Sequence, residues 1–178
     1  PLWSRGLGDV YKRQGLDADI TYRLVRGQDL GPSYAEFQRV LKNTLARAGY
    51  SEASSAELTL QMQSFQRENI DGAVDADLRV AEQSSASTLS FSVLNSEGAV
   101  LADEQRLQMR QIFRVDRTQL LGSFEQRSSV EQSLDQKLAD QVVRVLGVVM
   151  RGVRRAKTDA ERASRTAELE IIIERDAA

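Results

Sequence analysis

The chain has 178 residues, of which 41% are apolar, and its 24 basic residues nearly balance its 26 acidic ones. This composition fits one domain with one core, and a net charge of −2 provides no overall field to attract nucleic acid. The chain contains no histidine and no cysteine, which excludes disulfides, cysteine nucleophiles and metal sites built on imidazole or thiolate ligands.

The first 14 residues, PLWSRGLGDVYKRQ, differ in character from the rest of the chain. They resemble translated adapter sequence, so we predict that residues 1–14 are a non-native leader and that an export signal is missing with the true N-terminus. A native disordered arm is the alternative. No apolar run approaches the length of a membrane span.

The first predicted elements are a strand and a helix. Apolar residues alternate from 19 to 25, which predicts a strand with one buried face, and the segment 27–32 would end it. Ser33 and Glu36 fit a capping box at the start of a helix, and Gly49 is well placed to end that helix. The apolar stripe of the helix consists of Tyr34, Phe37, Val40, Leu41, Leu45 and Ala48.

Two further strands follow. Leu58, Leu60 and Met62 alternate with polar residues, and Phe65 breaks the phase, so we expect a bulge near 63–64. The sequence NIDG at 69–72 predicts a turn. A third, partly exposed strand then runs from Leu78 through a serine-rich stretch to Val93.

A fourth strand and a second helix complete the predicted domain. The strand follows a turn at 95–98, and one face of it carries Leu107, Met109, Phe113 and Val115. Ser123 and Gln126 could cap the helix, whose apolar stripe is Val130, Leu134, Leu138, Val142, Val145 and Val149.

The element order β-α-β-β-β-α predicts an α+β two-layer sandwich. Its sheet would be four-stranded and mostly antiparallel, with both helices on one face, because each helix has one apolar stripe to bury. We expect this domain to span 15–150. The segment 151–178 is highly charged with mixed signs and would be a helical or disordered tail.

Several strings resemble the family of the lipopolysaccharide-assembly lipoprotein LptE. They are RGQDLGPSYAEFQRVLKNTLARAGY at 26–50, VAEQSSASTLSFSVLNSEGAV at 80–100, and QIFRVDRTQLL at 111–121 with the helix entry at 122–125. Their order is more specific than any one of them. Departures are the absence of the family's acylated cysteine and Gln83 in place of an aromatic residue after the Ala-Glu pair.

The resemblance implies a partner and not a reaction. LptE-like proteins plug the LptD β-barrel of the outer-membrane lipopolysaccharide translocon, support its folding and contact lipopolysaccharide. For this chain it implies a non-catalytic subunit without cofactors or metal. The chain would lie on the periplasmic side of the outer membrane, held by a lipid anchor that this sequence lacks. The alternative is a stand-alone periplasmic lipoprotein domain of unknown ligand.

The candidate ligand-binding residues are arginines. Arg106, Arg110 and Arg114 recur every four residues, which on a strand places them on one face. The further candidates, most of which would be solubilising residues, are Arg23, Arg26, Arg67 and Arg79. Guanidinium groups bind phosphates through paired hydrogen bonds, so the stripe would suit lipopolysaccharide phosphates. Each arginine taken singly also fits an ordinary solvated strand face.

Two other groups of residues are candidates for a carboxylate or calcium site and for lipid contact. Asp75, Asp77 and Glu82 could form a carboxylate pair in a minor hydrolase, or a calcium site, although no loop of the required form supports either. The basic residues at 151–157 could contact anionic lipid head groups, or could instead cap the negative end of the second helix.

Overall fold

The computed structural model describes residues 20–74, 80–116 and 120–176. Within these ranges the chain forms five strands and two helices. They are β1 (Ile20–Leu30), α1 (Tyr34–Arg47), β2 (Tyr50–Glu52), β3 (Leu58–Val74), β4 (Val80–Asn95), β5 (Val100–Asp116) and α2 (Leu120–Asp176).

The strands form one mixed sheet in the order β2-β1-β3-β4-β5. The strand β1 is parallel to both of its neighbours, whereas β3, β4 and β5 form an antiparallel meander. The predicted α+β class is confirmed, but the predicted four-stranded sheet is corrected to five strands. The additional strand, Tyr50–Glu52, has three residues, too few for alternation to be recognised in the sequence.

Both helices pack on the same face of the sheet, as predicted. Each has one apolar stripe, and both stripes meet the same side of the strands in a single main cluster. The fully buried side chains at its centre are Phe37, Leu41, Leu45, Leu60, Met62, Phe65, Leu89, Phe91, Leu138, Val142 and Leu146. A smaller cluster lies toward the far end of β5 and consists of Phe113, Val115, Val130 and Leu134.

The strand β1 continues through Gly27, so the predicted end of the strand there is wrong. The β1–β3 register shifts between Arg26 and Asp29, opposite a shift in β3 between Met62 and Ser64. The predicted bulge in β3 is therefore confirmed. A Cβ atom on Gly27 would lie 2.4 Å from the carbonyl oxygen of Met62, so only glycine fits where the two irregular segments approach.

The predicted turn at 69–72 is also wrong, because β3 runs on to Val74. Ile70 pairs with Ser84 and Asp71 with Gln83 in the β3–β4 ladder, and after a register shift Val74 pairs with Ala81, so pairing with β4 outweighs the local turn preference of the Asp-Gly pair. The turn after β4 is confirmed. Gly98 has a φ of 84°, and the side-chain oxygen of Asn95 accepts hydrogen bonds from the backbone N–H groups of Glu97 and Ala99.

The helix ends differ in part from the prediction. Ser33 occupies the N-cap of α1, but its side chain makes no capping hydrogen bond, so no capping box forms. Gly49 has a φ of 88° and ends α1 as predicted. The helix α2 begins at Leu120, which places Ser123 inside its first turn. It continues to Asp176, so the basic residues at 151–157 do not cap a helix end.

The long helix α2 has 57 residues, and its segment 151–168 is exposed throughout. Among the described residues, none of the helices combines the length and the apolar character needed to span a membrane.

Candidate functional site

The face of the sheet opposite the helices is open in the described part of the chain. Small β4 residues form its floor, and they are largely covered because longer side chains of β3 and β5 stand on both sides. These floor residues are Ser84, Ala86, Thr88, Ser90 and Ser92. Hydrogen bonds between side chains order the open face: Gln63 Nε2 donates to Ser92 Oγ of the floor at 2.9 Å, and Arg23 Nε of β1 donates to Thr59 Oγ1 of β3 at 2.8 Å.

The three predicted arginines of β5 line one side of this open face. Arg106, Arg110 and Arg114 are all exposed, and they alternate with Leu107, Met109 and Phe113, which point toward the helices. Neighbouring arginines of this row are four positions apart along the strand, a distance of about 13 Å. Arg110 Nη2 donates to Ser84 Oγ at 3.0 Å. Among the described residues, no carboxylate lies within 4.0 Å of any of the three guanidinium groups.

The further candidate Arg79 lies outside the described residues. The open face also carries acidic side chains. Glu82 stands directly opposite Arg114 in the β4–β5 register, and Glu68 is paired with Ala86 on the β3 side. The face is therefore a row of cations beside a row of mixed polar and acidic residues, and not a uniformly positive surface.

Two isoleucines give the open face an apolar position. Ile70, Ser84 and Ile112 lie side by side across β3, β4 and β5, and the two isoleucine residues are 47% and 58% exposed. Ile112 lies between Arg110 and Arg114 along β5. Apolar and cationic groups are thus adjacent, an arrangement that suits a ligand with both a charged and an apolar part.

Part of the serine-rich stretch of β4 lies beneath the helices. Gln83, Ser85 and Ser87 alternate with the floor residues, so they point to the helix side, where Ser85 and Ser87 are fully buried. Arg127 of α2 donates to Gln83 at 3.0 Å. A polar layer therefore lies between the two apolar clusters of the core, both of which pack against Met109.

Arg67 is the centre of that polar layer, and its side chain is only 5% exposed. It forms ion pairs with Asp135, with Glu131 at 3.5 Å and with Glu36 at 3.9 Å, and its Nε donates to Ser87 Oγ at 3.3 Å. One guanidinium group thus joins β3 and β4 to both helices.

Burial raises the pKa of Asp135 above its usual value, and the hydrogen bond and positive charge of Arg67 oppose that rise. From the sequence, Arg67 is only one of four further arginine candidates, most of which are expected to be solubilising residues. The signal that places it correctly is the phase of β3, because Arg67 follows Phe65 by two residues after the bulge and so lies on the same face.

Two concave regions lined by described residues lie between the helices. A groove of about 600 Å³ between α1 and α2 is lined by arginine, amide and hydroxyl side chains together with Val40. A neighbouring pocket of about 140 Å³ includes Glu36, Glu131 and Asp135, whose charges are engaged by Arg67. No cluster of acidic residues that could hold a metal ion occurs in the described ranges. Asp75 and Asp77 fall outside them.

Solved structures of bacterial lipoproteins share this fold. The minor lipoprotein of Acinetobacter baumannii superposes with a TM-score of 0.56 at 15% identity, covering 71% of this chain and 90% of its own. Rare lipoprotein B of Shewanella oneidensis superposes with a TM-score of 0.58 at 13% identity, and the match covers 74% of this chain and 98% of that protein's chain. The uncharacterized lipoprotein B of Nitrosomonas europaea superposes with a TM-score of 0.58 at 14% identity, and the match covers 71% of this chain and 81% of that protein's chain.

At these identities the likeness concerns the fold. No protein-family model matches the sequence, and no curated protein matches it. The chain therefore shares the fold of these lipoproteins, and a shared fold does not by itself identify a ligand or a partner.

Proposed function

We propose that this chain is a non-catalytic assembly and binding subunit of the outer-membrane lipopolysaccharide translocon. It would plug and support an LptD-like β-barrel and contact lipopolysaccharide through the arginine row of β5. It would act on the periplasmic side of the outer membrane, held there by a lipid anchor. The LptE-like strings and the shared lipoprotein fold support the proposal, and the open polar face of the sheet supports the binding role.

The observation that carries the ligand assignment is the neighbourhood of Ile112. It lies on the open face between Arg110 and Arg114, whose guanidinium groups have no carboxylate partner within 4.0 Å among the described residues. Lipopolysaccharide presents phosphates beside acyl chains, and guanidinium groups bind phosphate with paired, charge-assisted hydrogen bonds. The groups needed for both parts of such a ligand therefore lie together.

The barrel assignment follows from the polarity of the same face. The interior of a large outer-membrane barrel is polar and wet, so a plug needs an exterior of hydroxyl, amide and charged groups on a rigid support. The open face has these groups on three paired strands of 16 or 17 residues. The helices on the other side hold the strands in one arrangement.

Replacing the arginine row tests the ligand assignment. The variant Arg106→Gln/Arg110→Gln/Arg114→Gln should bind immobilised lipopolysaccharide roughly tenfold or more weakly than the wild type, because three phosphate contacts are removed. The matched control is Arg39→Gln/Arg144→Gln/Arg162→Gln, which removes the same charge from exposed helix positions. Equal losses in both variants would mean that net charge, and not this face, governs binding.

Recovery of a partner tests the barrel assignment separately. The chain, immobilised on resin, should retain a β-barrel protein of the LptD type from detergent-solubilised outer membranes. Lipopolysaccharide binding without any barrel protein would overturn the plug role and favour the stand-alone lipoprotein domain.

A further inference from the structure

Five arginines form a row along the exposed part of α2. A helix turns by about 100° per residue, so positions 151, 154, 155, 158, 162 and 165 lie within one sector of about 100°. All of these positions hold arginine except 158, where Thr158 is uncharged. The two acidic residues of the same stretch, Asp159 and Glu161, lie on either flank of the sector. We call the five residues Arg151, Arg154, Arg155, Arg162 and Arg165 the α2 row.

The α2 row is open to solvent in the described part of the chain. Every residue from 151 to 168 is exposed, and no carboxylate among the described residues lies within 4.0 Å of a guanidinium group of the row. The same helix is anchored in the core by Val142 and Leu146 and continues to Asp176, so the domain fixes the direction of the row. From Arg151 to Arg165 the row is about 21 Å long.

No role within the described domain accounts for this row. The helix runs on past it, so its arginines do not complement the negative end of a helix. The whole chain has a net charge of −2, which makes the excess of positive charge a local property of one side of α2. Guanidinium groups that a rigid helix presents along one line suit an extended surface of phosphate groups.

We propose that the α2 row binds the surface of an anionic phospholipid bilayer, with the exposed part of α2 lying along the plane of the membrane. The compartment rests on the proposed function, because a chain held by a lipid anchor on the periplasmic side of the outer membrane meets phospholipids and no nucleic acid. The sector contains only arginine and threonine, so the contact is electrostatic, at the head groups, without insertion into the hydrocarbon.

The first test is co-sedimentation of the full chain with phosphatidylcholine vesicles that contain or lack phosphatidylglycerol. The wild type should bind the anionic vesicles roughly tenfold or more tightly than the neutral ones, because each basic residue near an anionic surface adds to the attraction. Raising the salt concentration should remove the difference, since exposed charges are screened.

Replacing part of the row gives the first variant. Arg151→Gln/Arg155→Gln/Arg162→Gln should bind the anionic vesicles roughly tenfold or more weakly than the wild type. The matched control is the triple glutamine variant of the β5 arginines described above, which removes the same charge from the open face of the sheet. The control should bind these vesicles as the wild type does.

A second variant tests the position of the charges at constant composition. In Arg155→Ala/Ala156→Arg/Arg162→Ala/Ala163→Arg, two arginines exchange places with the alanines that follow them and turn about 100° away from the row. Net charge is unchanged, yet binding to the anionic vesicles should fall roughly threefold or more. Circular dichroism checks that the helix content is kept. Wild-type affinity in this variant would overturn the proposal, because net charge would then govern binding.

Three other results would also overturn the proposal. They are equal binding of the wild type to anionic and neutral vesicles, equal losses in the α2 and β5 triple variants, and displacement of the chain from anionic vesicles by duplex DNA at the same phosphate concentration. The vesicles contain neither lipopolysaccharide nor a barrel protein, so failure here leaves the proposed function standing. Conversely, a β5 variant that keeps its lipopolysaccharide binding would contradict the proposed ligand and leave the vesicle result unchanged.

Discussion

At the scale of single residues, Arg67 is the position where a buried charge depends most on its ion-pair partners. A buried ion pair gains Coulombic energy but loses the hydration of both ions, so its net contribution to stability is small, while removal of one partner is costly. Here one cation serves three carboxylates, and Asp135 is the one as deeply buried as the arginine itself.

We predict that Arg67→Met lowers the free energy of unfolding by about 3–5 kcal/mol at neutral pH, because Asp135 is left buried and charged without its cation. Arg67→Met/Asp135→Leu should recover most of this loss, since no buried charge then remains between these two positions. Urea denaturation of both variants measures the difference. Equal destabilisation of the single and the double variant would contradict this account.

The loss in Arg67→Met should also depend on pH. Because the pKa of Asp135 is raised in the folded state, the fold retains this proton at pH values where the unfolded chain has lost it. The contribution of Asp135 to stability is thus greatest at acidic pH and falls as the pH rises above 3.8, the ordinary pKa of an aspartate side chain. Removing Arg67 removes the opposing interaction, so the variant should regain stability on mild acidification. A loss that is the same at acidic and neutral pH would contradict the assignment.

Residue-level prediction from the sequence succeeded for the faces of β5 and failed for Arg67. Alternation placed Arg106, Arg110 and Arg114 together on one face because β5 is regular over that stretch. Arg67 lies beyond a bulge, and one extra residue moves every later side chain to the other face. Its carboxylate partners come from two helices distant in sequence, which no local pattern reveals.

At the scale of secondary-structure elements, β1 and β3 approach each other so closely at Gly27 that this position requires glycine. We predict that Gly27→Ala lowers the free energy of unfolding by about 2 kcal/mol or more, because the added Cβ would meet backbone oxygens that cannot move independently. Gly152→Ala is the control. It has open space in an exposed helix and should stabilise the chain by about 0.5–1 kcal/mol. An Ala variant at 27 as stable as the wild type would mean that the two strands are not held this closely.

Element types were predictable from the sequence, whereas element lengths were not. Both helices and the alternation in the long strands appear as clear periodic patterns. The segment 69–72 has turn-forming residues but is held extended by pairing with β4, and β2 is short because only three residues reach the edge of β1. In both cases the tertiary partner decides the outcome, and a single sequence window does not contain that partner.

At the scale of the whole molecule, the buried tyrosines couple folding to alkaline pH. Burial raises the pKa of Tyr22 and of Tyr34 to about 12 from the ordinary value of 10.0. The folded chain therefore keeps these protons where the unfolded chain has lost them, so stability is present below pH 10 and decreases as the pH rises toward about 12.

We predict that tyrosinate absorbance, followed during alkaline titration, has a late stage above the ordinary tyrosine range to which Tyr22, Tyr34 and Tyr50 contribute, because burial raises the pKa of all three. Tyr34→Phe should reduce the later stage without lowering stability, because the buried Tyr34 hydroxyl has no hydrogen-bond partner among the described residues. A clear loss of stability in this variant would show that the hydroxyl makes a favourable interaction.

The position of β1 has a consequence for the order in which the molecule assembles. β1 precedes in the chain both strands with which it pairs, and α1 and β2 intervene before β3. The hairpins β3–β4 and β4–β5 close over short distances along the chain, whereas β1 pairs with β3 across α1 and β2, and β2 joins the sheet only through β1. Local hairpins form faster than parallel pairings across intervening segments, so we expect β1 to join the meander last and to bring β2 with it. During biosynthesis β1 would then lack its β3 partner until β3 has been made, which is the interval when a chaperone would be of most use.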